Sequence, residues 1–278
     1  MENQNEIVKK RENKMPRNNI SLAKAAGWIM LSLGGLSLIS SVIYNSQILA
    51  FTGLGLTFWG IILTYIQTEE YVKESLLNAT TLSLLITLNQ IITELDYKEK
   101  AIYLPPKYFK NPEENKAYIP KNKMANLPTP QQIQEKEQGL FIENPEGILI
   151  TPPGSELTKL FEKTLETSFT RVDLQYLQLN MPKLFIEDLE IAQNLEINIE
   201  NNKVHIKIEK TTYQNLTKQT EKFAKLYESL GCPLSSAIAC ALVKAIGKPL
   251  IIEKQQINEE TETVEIEYHI IEEEKTEK

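Results

Sequence analysis

Cysteine is scarce in this chain. Only Cys232 and Cys240 are present, and both fall in one apolar stretch whose pattern predicts a helix. Along a helix their spacing corresponds to about 12 Å, which is too far for a disulfide. A disulfide framework is therefore excluded, and two free thiols are typical of a reducing compartment.

Charge is absent from residues 25–68, which contain no Asp, Glu, Lys, Arg or His. Two apolar runs lie in this segment, Ala25–Tyr44 and Ile48–Ile66, and each would span about 30 Å as a helix, the thickness of the hydrocarbon core. The three-residue connection forces the helices to be antiparallel neighbours. The sequence predicts a transmembrane hairpin whose partner is the lipid bilayer. A cleaved signal peptide is the alternative, but a second apolar run follows the first at once.

The remaining charge is segregated by sign. Residues 1–24 contain six basic and three acidic side chains, a net charge of +3; because the whole chain carries −7, residues 69–278 carry −10. Basic segments beside a span stay on the cytoplasmic side. We therefore expect a multi-pass protein of the cell membrane with two spans and both termini in the cytoplasm. Nucleic acid is not an expected partner, because affinity for phosphates comes from Lys and Arg.

Small residues recur in both spans, where they let membrane helices approach closely. They are Gly34, Gly35, Ser37 and Ser41 in the first span, and Gly53, Gly55 and Gly60 in the second. We expect them to pack the hairpin on itself. The alternative is contact between chains, giving a homo-oligomer.

The whole chain is predicted to be a membrane-anchored α+β protein. The transmembrane hairpin is followed by a helix, a small Pro-rich β module and a C-terminal α+β domain with antiparallel hairpins. The predicted segments are a basic cytoplasmic N-terminal segment (1–24), the hairpin (25–68), a connecting amphipathic helix (69–98), the Pro-rich β module (99–154), the α+β soluble domain (155–271) and an acidic tail (272–278).

The run Tyr71–Leu95 is a third long apolar pattern. Polar residues interrupt it, and each unpaired polar group in hydrocarbon is costly, so a third span is rejected. An amphipathic helix that packs on the soluble domain, or on a second copy of itself, fits better.

Local signals place further elements in the soluble part. Nine of the thirteen prolines fall between Pro105 and Pro153. Leu140–Thr151 is typical of a hairpin, and Ser155 is expected to be the N-cap of the next helix. The remaining elements are a helix over about 172–191 bent by Pro182, helices over about 213–230 and 233–246, and hairpins over 195–209 and 250–271.

Short cofactor and nucleotide signatures are missing: the sequence has no GxxxxGK[ST], GxGxxG, GxSxG, HExxH or CxxC. No catalytic residue and no cofactor is predicted. The function predicted is a membrane-anchored cytoplasmic interaction or assembly protein, and an enzyme is the less favoured class. The alternative is a membrane-tethered small-ligand sensor or enzyme that uses the helix start at Cys232.

Three residues are candidates for binding chemistry. Cys232 stands between Gly231 and Pro233 at a predicted helix start, where free N–H groups stabilise a thiolate, so it is the candidate for ligand or cofactor binding. A small buried residue at a tight turn is the competing interpretation. His205 and His269 lie on strands whose alternation puts both on one face if the two hairpins share a sheet, and they are the metal candidates, with solvated strand residues as the alternative.

Five stretches resemble a family of uncharacterised archaeal membrane proteins with two spans and a C-terminal soluble α+β domain. They are 101–106 (AIYLPP), 139–153 (GLFIENPEGILITPP), 172–192 (VDLQYLQLNMPKLFIEDLEIA), 231–251 (GCPLSSAIACALVKAIGKPLI) and 264–271 (VEIEYHII). That resemblance implies the architecture above and brings no known activity. The Cys232 helix start with its final hairpin is also similar to the end of small-ligand-binding domains of the vinyl-reductase type. The further cysteines and histidines of those domains are missing, so no site is carried over.

Overall fold

A computed structural model describes residues 22–65, 74–122, 127–135 and 139–272, with backbone only for residues 22–24 and 74–79. Most of the basic N-terminal segment and of the acidic tail lies outside the described residues. The chain forms two compact units, Met1–Lys73 and Glu74–Lys278.

The first unit is a helical hairpin, α1 (Leu22–Tyr44) and α2 (Gln47–Tyr65). Both helices are long and apolar enough to cross a membrane, as predicted. Their large side chains, Trp28, Phe51 and Trp59 among them, are exposed on the outside of the pair. That arrangement fits a lipid bilayer, where apolar side chains need no protein cover.

Two pairs of facing glycines hold the hairpin together. A Cβ atom added to Gly34 would lie 2.7 Å from the Thr57 amide nitrogen and 3.1 Å from the Gly53 carbonyl oxygen. Two helical turns away, Gly27 faces Gly60 in the same way: a Cβ atom added to Gly27 would lie 3.0 Å from the Gly60 carbonyl oxygen. The two backbones are thus in direct contact, which confirms the predicted packing of the hairpin on itself at Gly34, Gly53 and Gly60.

Gly35 and Gly55 play no part in this contact, because a Cβ added to either meets no atom within 4 Å. The two serines act through hydrogen bonds. Ser37 Oγ donates to the Leu49 carbonyl oxygen at 3.0 Å, and Ser41 Oγ donates to the Ser46 carbonyl oxygen at 3.0 Å. The small residues therefore divide into those that build the hairpin and those on its outside.

Gly34→Ala should weaken the hairpin, whereas the neighbouring Gly35→Ala should not. The added methyl group at position 34 must push α1 away from the Thr57 backbone, which costs about 1–3 kcal/mol for an overpacked contact. The measurement is energy transfer between labels at positions 25 and 65 during titration with SDS, in a chain whose two native cysteines are serine. Equal midpoints for the two alanine variants would contradict the glycine pairing.

The second unit begins with α3 (Glu74–Glu94), and its described residues form one eight-stranded antiparallel sheet. The strands are β1 (Ile102–Tyr103), β2 (Ala117–Pro120), β3 (Phe141–Glu143), β4 (Glu146–Ile150), β5 (Asn194–Glu200), β6 (Lys203–Glu209), β7 (Leu250–Asn258) and β8 (Thr263–Ile270). Their order is β3-β4-β2-β1-β7-β8-β6-β5. The predicted fold class is confirmed.

One pairing joins segments that the sequence predicts as separate modules. Ile102 and Tyr103 of β1 lie opposite Ile251 and Leu250 of β7. The Pro-rich segment thereby supplies half of the same sheet as the α+β segment.

Helices cover the sheet unequally. The helices after α3 are α4 (Pro130–Glu135), α5 (Ser155–Thr164), α6 (Leu174–Lys183), α7 (Gln214–Glu221), α8 (Ala224–Leu230) and α9 (Pro233–Ile246). On one face, α9 lies in the main core with twelve of its fourteen residues buried, from Pro233 to Lys244. On the other face, a smaller apolar cluster around Tyr118 and Ile133 covers β1 to β4, while charged side chains line β5 to β8.

The segment Ala224–Ile246, which contains α8 and α9, is also apolar enough to span a membrane. It is 89% buried inside the second unit. Its apolar character is therefore explained by the protein core, in line with the prediction of two helices in the soluble part.

Three local details differ from the sequence prediction. Gly154, not Ser155, is the N-cap of α5, and no side chain caps that helix. Helix α6 keeps Pro182 inside and continues as a short π-helix over Leu184–Asp188. The helix expected over 213–230 is divided into α7 and α8 at Lys222 and Phe223.

Candidate functional site

Cys232 occupies the N-cap of α9, with Pro233 in the first turn as predicted. The preceding Gly231 has φ +72°, a conformation that favours glycine, and a Cβ there would lie 2.4 Å from Ser235 Oγ. The Cys232 sulfur accepts a hydrogen bond from the Ser235 backbone N–H at 3.4 Å. The thiol thus replaces the hydroxyl or carboxylate that usually caps a helix.

The thiol is enclosed. Cys232 is 1% exposed, and Leu234, Ala237 and Ile238 after it belong to the same apolar core. Ser235 Oγ lies 3.3 Å from the sulfur and 3.0 Å from the Cys232 carbonyl oxygen. These contacts fit the competing interpretation of Cys232 as a small buried residue at a tight turn.

Two buried tyrosines donate hydrogen bonds to backbone carbonyl oxygens at the same helix start. The Tyr268 hydroxyl donates to the Ser235 carbonyl oxygen at 2.9 Å, and the Tyr103 hydroxyl donates to the Leu230 carbonyl oxygen at 2.7 Å. Burial raises the pKa of both phenols well above their usual range, so they are neutral donors at all physiological pH values. Sequence reasoning missed both residues, which come from β1 and β8.

Within the described part of the chain, two polar atoms beside Cys232 lack a hydrogen bond of acceptable geometry. They are the Tyr227 hydroxyl and Gln255 Nε2, and both atoms are buried. Gln255 Oε1 accepts from the Cys232 backbone N–H at 3.5 Å. Burial raises the pKa of Tyr227, and the neighbouring Gln255 opposes part of that rise. Buried groups of this kind call for a water or a ligand atom.

Cys232 should be inert toward iodoacetamide in the folded protein and should react no faster than Cys240. Both sulfurs are buried, and burial raises the pKa of Cys240 to about 12, which keeps that thiol protonated at neutral pH. The measurement is the alkylation rate of each cysteine by mass spectrometry at pH 7, with urea-unfolded protein as the control that labels both. Selective, rapid labelling of native Cys232 would favour a ligand-handling or redox role.

The two histidines lie on the open face of the sheet. Strands β6 and β8 are neighbours, His205 is opposite Glu267, and His269 is opposite Lys203. The predicted common surface is therefore confirmed. However, Lys203 Nζ lies 2.5 Å from Glu267 Oε1 and 3.0 Å from Glu253 Oε2.

Lys203 forms ion pairs with the carboxylates of Glu253 and Glu267. It lowers the pKa of Glu267 and places an ammonium group where a metal ion would need free carboxylates. Among the described residues, no group of three or more His, Cys, Asp or Glu side chains is placed to hold a metal ion.

The open face also has a shallow depression of about 210 Å³. Its lining mixes signs, with His205, Lys207 and Lys254 beside Glu196 and Glu265. A wider, more open cleft of about 700 Å³ is acidic and includes Glu221, Glu259 and Glu260. Cys232 lines neither, but Gln255, whose Oε1 accepts from the Cys232 backbone N–H, lines the wider cleft.

A buried ion pair joins α5 to α9. Lys244 Nζ lies 2.9 Å from Glu162 Oε2, and the lysine side chain is 2% exposed. The second carboxylate oxygen accepts from the Phe169 backbone N–H at 2.8 Å. Because both carboxylate oxygens have partners, the pair is structural. The only sequence signal for it is one lysine in the otherwise uncharged run 233–246.

A family model described as "Domain of unknown function (DUF7982)" matches residues 2–269, so the chain belongs to this family. No curated protein and no solved structure gives a significant match.

Proposed function

We propose that this DUF7982 protein is a membrane-anchored interaction or assembly protein, a scaffold with no catalytic site at Cys232. The observation that carries the proposal is the exposed apolar surface of the second unit. In that unit, Leu84, Leu140 and Phe141 are all more than half exposed, and Leu140 and Phe141 are adjacent in the sequence. Contiguous exposed apolar side chains mark interaction sites, whereas single ones are common on any protein surface, so the adjacent pair Leu140 and Phe141 carries the most weight.

The enclosure of Cys232 supports the same proposal. A reactive thiol needs access to solvent or substrate and a stabilised thiolate. The Cys232 sulfur is instead used as a helix cap in a packed core.

The proposed setting is the cell membrane, with both termini and the second unit in the cytoplasm. The proposed partners are the lipid bilayer and either a second copy, through the transmembrane hairpin or the 71–95 helix, or another protein. The charge of −10 over residues 69–278 supports the exclusion of nucleic acid. The archaeal resemblance and the vinyl-reductase resemblance stay predictions.

Cysteines introduced at Asn5 and Lys275 should be shielded from membrane-impermeant thiol reagents in intact cells, and a cysteine at Ser46 should label. The reason is the basic segment before α1, which stays in the cytoplasm, while Ser46 lies in the turn between the spans. Permeabilised cells, in which all three positions label, are the control. Labelling at Lys275 but not at Ser46 in intact cells would overturn the cytoplasmic assignment.

The test of the assembly function is light scattering of the intact protein in detergent, corrected for bound detergent. The protein mass of the complex should correspond to two or more chains. A strict monomer of one chain under all conditions would count against assembly.

The alternative function, a small-ligand sensor or enzyme, is favoured by one observation. The Tyr227 hydroxyl and Gln255 Nε2 are buried beside Cys232 without good hydrogen bonds. A small polar ligand would satisfy them, as would an ordered water. Retention of a small molecule by the purified protein, lost in Gln255→Leu, would support this alternative.

A further inference from the structure

Helix α3 has one covered face and one uncovered face. Leu85 and Ile92 are buried against the core, and Asn89 Oδ1 accepts from the Leu226 backbone N–H of α8 at 3.2 Å. On the other side, Leu84 is 74% exposed, and Thr87, Gln90 and Ile91 are exposed with it. These four residues share one helix face by their spacing, and we call them the outer stripe.

The outer stripe is apolar in effect. The helix has no charged residue between Glu74 and Glu94. Thr87 Oγ1 donates to the Ser83 carbonyl oxygen at 3.1 Å, so its hydroxyl is satisfied within the helix and its methyl group remains for outside contacts. Apart from Gln90, the stripe presents hydrocarbon.

We propose that the outer stripe binds the outer stripe of a second copy of this chain. This rests on the proposed assembly function and names its partner. Residues 69–278 carry −10, so two copies repel each other wherever charged faces meet. The uncharged stripe lets two acidic units meet without opposing like charges, and a two-fold interface uses the same patch on both partners.

The membrane hairpin favours a second copy of the chain as the partner of the outer stripe. Every copy is tethered by apolar helices that fit a bilayer, which raises the local concentration of one copy around another. A lipid surface is a poorer occupant, because anionic headgroups attract Lys and Arg, and α3 contains neither.

The experiment is disulfide cross-linking of full-length Thr87→Cys in membranes with copper phenanthroline. The matched control is Leu179→Cys on α6, which is 77% exposed and lies outside the outer stripe. The native cysteines are buried and do not contribute under native conditions. Thr87→Cys should give a covalent species of twice the chain mass, and Leu179→Cys should give several-fold less.

A second variant tests the contact itself. Leu84→Glu in the Thr87→Cys chain places two carboxylates across the two-fold axis and should lower the yield of linked dimer about tenfold. Because Leu84 is exposed, this change leaves the fold intact, which circular dichroism checks. Equal yields at positions 87 and 179, a linked partner of different mass, or a yield unchanged by Leu84→Glu would each overturn the inference.

The outcome also separates this inference from the proposed function. If Leu84→Glu abolishes cross-linking at position 87, the stripe pairs as proposed. If position 87 cross-links no better than position 179 while the wild type is assembled in detergent, the stripe inference fails and the assembly function stands. If the wild type itself is a single chain in detergent and in membranes, both fail.

Discussion

Gly154→Ala should destabilise the second unit by about 3 kcal/mol, the upper end of the range for overpacked cores. A Cβ atom at this position would lie 2.0 Å from the Ala237 backbone nitrogen and 2.5 Å from its Cα atom. Both are backbone atoms of α9, so no side-chain rotation relieves the contact. The Gly154 N–H also donates to Ser236 Oγ at 3.1 Å, and moving α5 away from α9 breaks that bond.

The measurement is urea unfolding of the full-length protein in detergent, followed by near-ultraviolet circular dichroism. Gly247→Ala is the matched control, because Gly247 ends α9 at φ +70° and an added Cβ there meets no atom within 4 Å. It should cost only about 1 kcal/mol, the conformational penalty of a left-handed residue. Equal losses at the two glycines would show that the approach of α5 to α9 is looser than the structure has it.

Lys244→Met should destabilise the second unit by about 3 kcal/mol, the lower end of the range for a broken buried pair, because it leaves the Glu162 carboxylate, whose side chain is 16% exposed, without its cation. Adding Glu162→Gln should recover much of this loss. The amide removes the charge and keeps an oxygen to accept from the Phe169 N–H, which the carboxylate does at 2.8 Å.

The comparison separates charge from packing. The same urea titration is run for Lys244→Met, for the double variant and for Glu162→Gln alone. If the double variant is no more stable than Lys244→Met, the loss comes from the packing of the lysine stem, and the account of an unpaired charge is wrong.

The N-terminal helical hairpin could be predicted because its signal is local. Forty-four consecutive residues without charge, and a connection of three residues, define both helices and their direction. Gly27 and Gly34 are seven residues apart, as are Gly53 and Gly60. This equal spacing allows Gly27 to face Gly60 and Gly34 to face Gly53 in an antiparallel pair. Which glycines face inward needs the relative rotation of the helices, and sequence pattern does not provide it.

The second unit was predictable only in part. Apolar and polar residues alternate along the long hairpin strands, so the sequence predicts them. Strand β1 has only two residues and therefore no periodicity. The union of the Pro-rich segment with the α+β segment depends on β1 pairing with β7, about 150 residues away. Such a pairing leaves no trace in either local sequence.

The surroundings of Cys232 show the same limit. The tripeptide Gly231-Cys232-Pro233 marked the helix start correctly. The residues that determine its chemistry, Tyr103, Gln255 and Tyr268, come from distant strands, and none is distinctive by itself. The Lys244–Glu162 pair spans 82 positions and was missed for the same reason.

Native mass spectrometry of the intact protein, released from detergent, tests the central claim most directly, because it reports chain number and bound ligand together. More than one chain should be present in the complex, and no small molecule should be retained in proportion to the chain. A single chain that keeps one stoichiometric small ligand, and loses it in Gln255→Leu, would contradict the assembly function and favour a ligand site beside Cys232.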